Sequence, residues 1–146
     1  MKIIFLLLSV TLTLLANERV IKISGCSVDQ TVQNIEDIVK KKGLSVFAVI
    51  DHQKNAQSVG MSLNESKLII FGNPKVGTKL MQENIRVALD LPLKILVYKD
   101  NNSNVKMAYR KGTWIAKEHT LNINKVENIN KGMDNITNKA GQCKQD

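Results

Sequence analysis

Aromatic side chains are scarce in this chain of 146 residues, which holds three Phe, two Tyr and one Trp. Proteins that hold unpaired bases stack them on such rings, so the formal charge of +8 makes no case by itself for nucleic acid, and no nucleic-acid partner is expected. Histidine and cysteine are just as sparse: His52, His119, Cys26 and Cys143 are the full set. None stands at the short spacings that chelate zinc. Met61, Met81 and Met107 form no M-x-x-M or H-x-x-M cluster suited to copper. No metal and no cofactor is therefore expected. Internal repeats, low-complexity segments and linkers are missing too, which leaves one domain, and 43% hydrophobic with 23% charged residues is ordinary for a globular core.

One apolar run stands out, at the N-terminus. M-K-I-I-F-L-L-L-S-V-T-L-T-L-L-A gives one basic residue, a mostly apolar stretch and a small residue at Ala16, the order of a secretory signal peptide. It falls short of the roughly 20 apolar residues that span a bilayer. The expected organisation is a signal peptide at 1–16, a single domain at 17–141 and a tail at 142–146, with the mature protein periplasmic or secreted and without a stable membrane span after leader removal. Leu14 is large for the position two before a cut at Ala16, so the cleavage point stays open. Ile23-Ser24-Gly25-Cys26 looks like a lipoprotein cleavage box, but Glu18, Arg19 and Lys22 separate it from the apolar run, and this argues against lipidation. A better use for Cys26 in an oxidising compartment is a bond to Cys143. Two free thiols are the alternative, because Cys143 stands three residues from the C-terminus.

The remaining pattern alternates strands with helices. Residues 18–24 alternate as a strand. Ser27 with Gln30 three residues on marks a helix start, Val28, Val32, Ile35, Ile38 and Val39 supply its apolar stripe, and Lys40 to Lys42 with Gly43 close it. Leu44–Ile50 reads as a strand covered in part on both faces. His52, Ala56 and Gly60, four apart, fall on one side of a short helix. Lys67–Phe71 is a further strand, after which Asn73 caps a helix with Pro74 at its first position. Leu93–Tyr98 and Val105–Arg110 flank the turn-rich D-N-N-S-N as a hairpin. Val126, Ile129, Met133 and Ile136 make the stripe of a last helix.

Two polar clusters carry what chemistry the sequence offers. Gly72-Asn73-Pro74-Lys75-Val76-Gly77-Thr78 combines a helix N-terminus, two glycines, a lysine and a hydroxyl, the ingredients of an anion site. It is not a P-loop, since Lys75 precedes Gly77. The plainer reading is that Asn73 and Pro74 start a helix and the glycines let it pack. Asp51 and His52 are adjacent, so in a strand they point to opposite faces, and His52 needs a partner such as Asn73 or Thr78 to act as more than a structural histidine. Both clusters follow apolar strand-like runs. The expectation is therefore one polar crevice lined by Asp51, His52, Gly72, Asn73, Pro74, Lys75, Gly77 and Thr78, with loop amides facing an anionic group and no residue assigned as catalytic.

An ordered set of motifs resembles the domain of unknown function 302 family over about residues 27–140. They are S-V-D-Q-T-V, K-G-L-S-V-F-A-V-I-D-H, the pair Ala56 and Gly60, F-G-N-P-K-V-G-T-K-L-M-Q, A-L-D-L-P-L-K-I-L-V-Y and the strand bearing Tyr109. The resemblance implies an α+β fold, a β-sheet with helices packed on one side, and a homodimer. Both cysteines are peripheral to the family core, so a nucleophilic-cysteine enzyme has no candidate. It supplies no activity. Three functions stay open: an exported binding module for a small anionic or amphipathic ligand, a small enzyme using His52 with the 72–78 loop, and a homodimeric structural or interaction domain without a small-molecule site.

Overall fold

A computed structural model describes residues 19–143. The expected leader at 1–16 and the last three residues of the expected tail lie outside the described residues. Five strands, β1 (Arg19–Ile23), β2 (Ser45–Asp51), β3 (Ser66–Gly72), β4 (Leu93–Lys99) and β5 (Val105–Arg110), alternate with α1 (Val28–Lys41), α2 (His52–Ser58), α3 (Pro74–Glu83), α4 (Gly112–Glu118) and α5 (Glu127–Ala140). The strands form one antiparallel sheet in the order β1-β5-β4-β3-β2, and the fold is α+β.

Period-two alternation sorts the sheet into two faces. Ile69, Phe71, Ile95, Val97, Met107 and Tyr109 point one way and are buried against Val28, Ile35 and Val39 of α1 and Met133, Ile136 and Ala140 of α5. The sequence produces these two helices directly. Ser27 Oγ accepts the Gln30 amide at 3.1 Å, a cap worth about 1 kcal/mol. Gly43 stops α1 at φ +70°, a conformation in which a Cβ is strained. A smaller cluster of Leu80, Val87, Leu91 and Ile115 fills the space between α3 and α4 at one end of the sheet.

A disulfide between Cys26 and Cys143, with 5.3 Å between Cα atoms, ties the end of α5 to the approach of α1 across 117 residues of sequence. Loop closure on that scale contributes about 4–5 kcal/mol in the chain-entropy account. The Gly25 amide donates to the Gly141 carbonyl at 2.9 Å beside it, so backbone pairing reinforces the same seam.

Three expectations need correction. β2 is an edge strand, and Phe47 and Val49 stay exposed; its apolar run resembles a two-sided strand only because one side lines a groove described below. α2 ends at Ser58, so Gly60 lies beyond it at φ +73° and no residue of α2 is buried. α4 is a helix that no cap or apolar stripe in the sequence announces after the hairpin. Gly112 opens it because a Cβ there would come within 2.8 Å of the Val126 carbonyl and 2.9 Å of Ile129 Cβ.

Candidate functional site

The strand register decides the fate of the single polar crevice. Asp51 lies opposite Lys67, whereas Gly72 lies opposite Ser45. Five residue steps along β3 separate these points, about 17 Å at roughly 3.4 Å per residue. Asp51 and His52 therefore stand at one end of β3, and Gly72, Asn73, Pro74, Lys75, Gly77 and Thr78 at the other. The expected crevice is corrected on this point. Both clusters do follow strands, but antiparallel pairing sets the end of β2 beside the start of β3; only parallel strands would bring the two ends together.

At the first end Asp51 is an N-cap and ion-pair partner. Its Oδ1 accepts the Lys54 amide at 2.9 Å and its Oδ2 lies 3.3 Å from Lys67 Nζ. The Lys54 amide, and after it the Lys67 ammonium, hold the Asp51 carboxyl below the ordinary aspartate value. Lys67 in turn is raised, chiefly by Asp29 of α1. His52 opens α2 and has no hydrogen-bond partner among the described residues, so no carboxylate orients it.

At the second end the amides expected to face an anion are already satisfied. Asn73 Oδ1 accepts from Lys75 N at 3.0 Å and Val76 N at 3.3 Å, and Gly77 N donates to the Asn73 carbonyl at 2.9 Å. Lys75 and Thr78 are exposed. What this end does hold is a largely apolar groove of about 390 Å³ between α3, α5 and β2, and Gly72, Asn73, Pro74 and Gly77 are on its wall. Phe47, Phe71, Leu80, Met81, Ile129 and Ile136 give it its apolar surface, and the exposed side chains of Asn73, Lys125 and Asn128 add polar atoms. Lys125 is ion-paired with Glu83.

The α5 side of this groove was missed in the sequence, where Ile129, Met133 and Ile136 read simply as core. The available signal was Gly132 inside that stripe: a Cβ there meets nothing within 4 Å, so the glycine leaves open space on a helix facing α3. A buried histidine, paired with a half-buried aspartate, is a second feature that no sequence motif marks. His119 Nε2 lies 2.6 Å from Asp90 Oδ2, and Asn84 Nδ2 donates to the His119 carbonyl at 2.8 Å, joining the end of α4 to the turns on either side of Ile85–Leu89. Among the described residues no group of three or more His, Cys, Asp or Glu could hold a metal ion.

With this geometry in hand, the chain matches the family described as Domain of unknown function DUF302 over residues 20–140, and it belongs to that family. The fold is that of a solved member, an uncharacterized conserved protein DUF302 from Bacillus stearothermophilus, with a TM-score of 0.77 at 19% identity, covering 86% of this chain and 99% of that one. Two curated relatives, Fluoride-specific ion channel FluC 1 of Brucella suis and FluC 2 of Brucella melitensis, are each 36% identical over 97 residues, or 66% of this chain. The chain spans only 38% and 36% of their respective lengths. Among the described residues no helix is long and apolar enough to cross a membrane.

Proposed function

We propose that this protein is an exported binding module for a small amphipathic molecule, whose apolar body enters the groove between α3, α5 and β2. The observation that carries this reading is the groove itself. It has a volume of about 390 Å³ and mainly apolar walls, with Asn73, Lys125 and Asn128 as scattered polar contacts, and pockets for small ligands share that size and character. The leader-like N-terminus and the Cys26–Cys143 bond support an oxidising compartment outside the cytoplasm. Intact-mass measurement on protein recovered from its host tests export, with a mature species starting near Asn17 expected. Self-association as a two-fold dimer belongs to the same proposal through the family resemblance, and light scattering over a concentration series tests it.

The enzyme reading lacks comparable support, since His52 has no partner to orient it and the loop amides near Lys75 are engaged by Asn73. The fluoride-channel proteins bear on the proposal through the matched segment alone: a domain like this one inside a transport protein is consistent with a binding accessory, and channel activity is not proposed for this chain.

Thermal shift with uncharged 1-alkanols of increasing chain length tests the groove, because a ligand that binds the folded state stabilises it more the further its concentration exceeds its Kd. Melting temperature is expected to rise with chain length up to the groove's capacity. Gly132→Leu fills the open space and removes that rise, while its own melting temperature is no lower than the parent's, as Leu is the better helix former. An unchanged alkanol response in Gly132→Leu would sink the assignment.

A further inference from the structure

On the sheet face turned away from α1 and α5, three cations stand side by side. Arg19 is paired directly with Arg110 across β1 and β5, and Lys94 of β4 lies next to Arg110 on the same face, two residues beyond the Leu96–Ala108 pair. Like charges set opposite one another destabilise a sheet, so the row calls for compensation. The protein supplies little. No carboxylate is ion-paired with Arg19, Arg110 or Lys94 among the described residues. Arg110 stacks on Trp114, 4.0 Å from the ring centroid, and Lys94 Nζ donates to the carbonyls of Asp90 and Pro92 at 3.2 and 3.0 Å. Asp90 is the carboxylate nearby, but its Oδ2 is engaged by His119. Burial lowers the Lys94 pKa, and the nearby Asp90 carboxylate offsets this only in part.

A cavity of about 240 Å³ opens at this row, with Arg19, Lys94, Arg110 and Asp90 among its polar walls and Leu68, Leu96 and Ala108 on its apolar side. The apolar residues continue across the strands, since Ile21 pairs with Ala108, Ala108 with Leu96, Leu96 with Leu68 and Leu68 with Ile50. Guanidinium groups bind carboxylates and phosphates through paired hydrogen bonds.

We propose that this row is a second binding site, for a small oxyanion with an apolar body: a carboxylate or phosphate headgroup held by Arg19 and Arg110, neither of which lines the groove, its short chain lying along Leu96, Ala108 and Leu68. The three cations and the strip of Leu68, Leu96 and Ala108 lie on the sheet face turned away from α1 and α5, while the cavity also reaches Leu93, Tyr109, Ile115 and Met133, of which Leu93 and Met133 line the groove as well; titration of the Gly132→Leu variant distinguishes the two sites.

Trp114 is the single tryptophan of the chain and stacks against Arg110, which makes its emission a local reporter. Octanoate and octyl phosphate are titrated against the protein, with 1-octanol and inorganic phosphate as controls that lack the charge or the chain. A saturable emission change with octanoate, octyl phosphate or both is expected, at least tenfold weaker with inorganic phosphate and absent with octanol. Arg19→Gln and Arg110→Gln each weaken the anionic amphiphile at least tenfold. Arg19→Gln also melts no lower than the parent without ligand, because it removes like-charge repulsion, whereas a purely structural arginine would lower it. The same titrations in Gly132→Leu keep their midpoint, which separates this site from the groove. Three results overturn the proposal: octanol acting as well as octanoate, midpoints unchanged in both arginine variants, or a response confined to phosphatidylglycerol vesicles with none to either soluble amphiphile.

Discussion

At each end of β3 the chain has a strand that runs into a helix capped by a side chain, yet one end encloses a groove and the other does not. Asp51 caps α2 through the Lys54 amide, and Asn73 caps α3 through the amides of Lys75 and Val76. The helices then diverge. H-Q-K-N-A-Q-S offers no apolar side beyond Ala56, and α2 buries none of its residues. P-K-V-G-T-K-L-M-Q-E sets Val76, Leu80 and Met81 along one side, and Leu80 is buried against Val87, Leu91 and Ile115. A capping residue tells where a helix begins, and the apolar spacing after it tells whether that helix will wall a cavity.

The largest effect that probes this difference comes from a core ring under the groove. Phe71 is fully buried and lines the groove, so Phe71→Ala is expected to cost about 3–5 kcal/mol of unfolding free energy. His52→Ala, at the exposed helix on the other end, is expected to stay within about 0.5 kcal/mol. Urea denaturation of both variants measures the contrast, and similar losses at the two ends would break it. A smaller effect separates the caps. Asn73→Ala and Asp51→Ala each lose about 1 kcal/mol, but only Asn73→Ala, whose helix forms one wall of the groove, should also diminish the alkanol thermal shift. An equal reduction in both would mean that the groove senses general stability and not its own wall.

Much of the fold was legible because its signals are local. The stripe Val28, Val32, Ile35 and Val39 with the Ser27 cap gave α1, Pro74 after Asn73 gave the start of α3, and D-N-N-S-N gave the hairpin, in which Asp100 accepts the amides of Asn102 and Asn104 at 2.9 Å. α4 was not legible: Lys111 precedes it without a side-chain cap bond, and it owes its place to a contact between Gly112 and α5 that no local pattern announces. The candidate site was legible only by halves. Gly72, Asn73, Pro74 and Gly77 do line a cavity, but its facing walls come from Phe47 on β2, earlier in the chain, and from Asn128, Ile129, Gly132, Met133 and Ile136 on α5, far later in it. The supposed partnership of His52 with the 72–78 loop assumed that strand ends meet, and strand direction is a property of the whole sheet. The cation row has the same origin: Arg19 and Arg110 are neighbours only through the β1–β5 register.

The smallest predicted effect asks what the Asp51 end contributes, if not a site. The folded protein depresses the Asp51 pKa, through the Lys54 amide first and Lys67 second. A depressed carboxyl adds stability that is complete above its unfolded value, near 4, and is lost as pH falls through the lower folded value. Asp51→Asn keeps an oxygen that can accept the Lys54 amide and removes the charge that faces Lys67. It should therefore be less stable than the parent at pH 7 by at most about 1 kcal/mol, since the pair is partly exposed and screened by solvent, and the deficit should shrink as pH falls below 4, where the parent Asp51 is itself protonated. Unfolding curves for both proteins between pH 7 and pH 2.5 measure this. If the two differ by the same amount at every pH, the charge of Asp51 does no work in the fold, and the ion pair with Lys67 adds nothing to the cap.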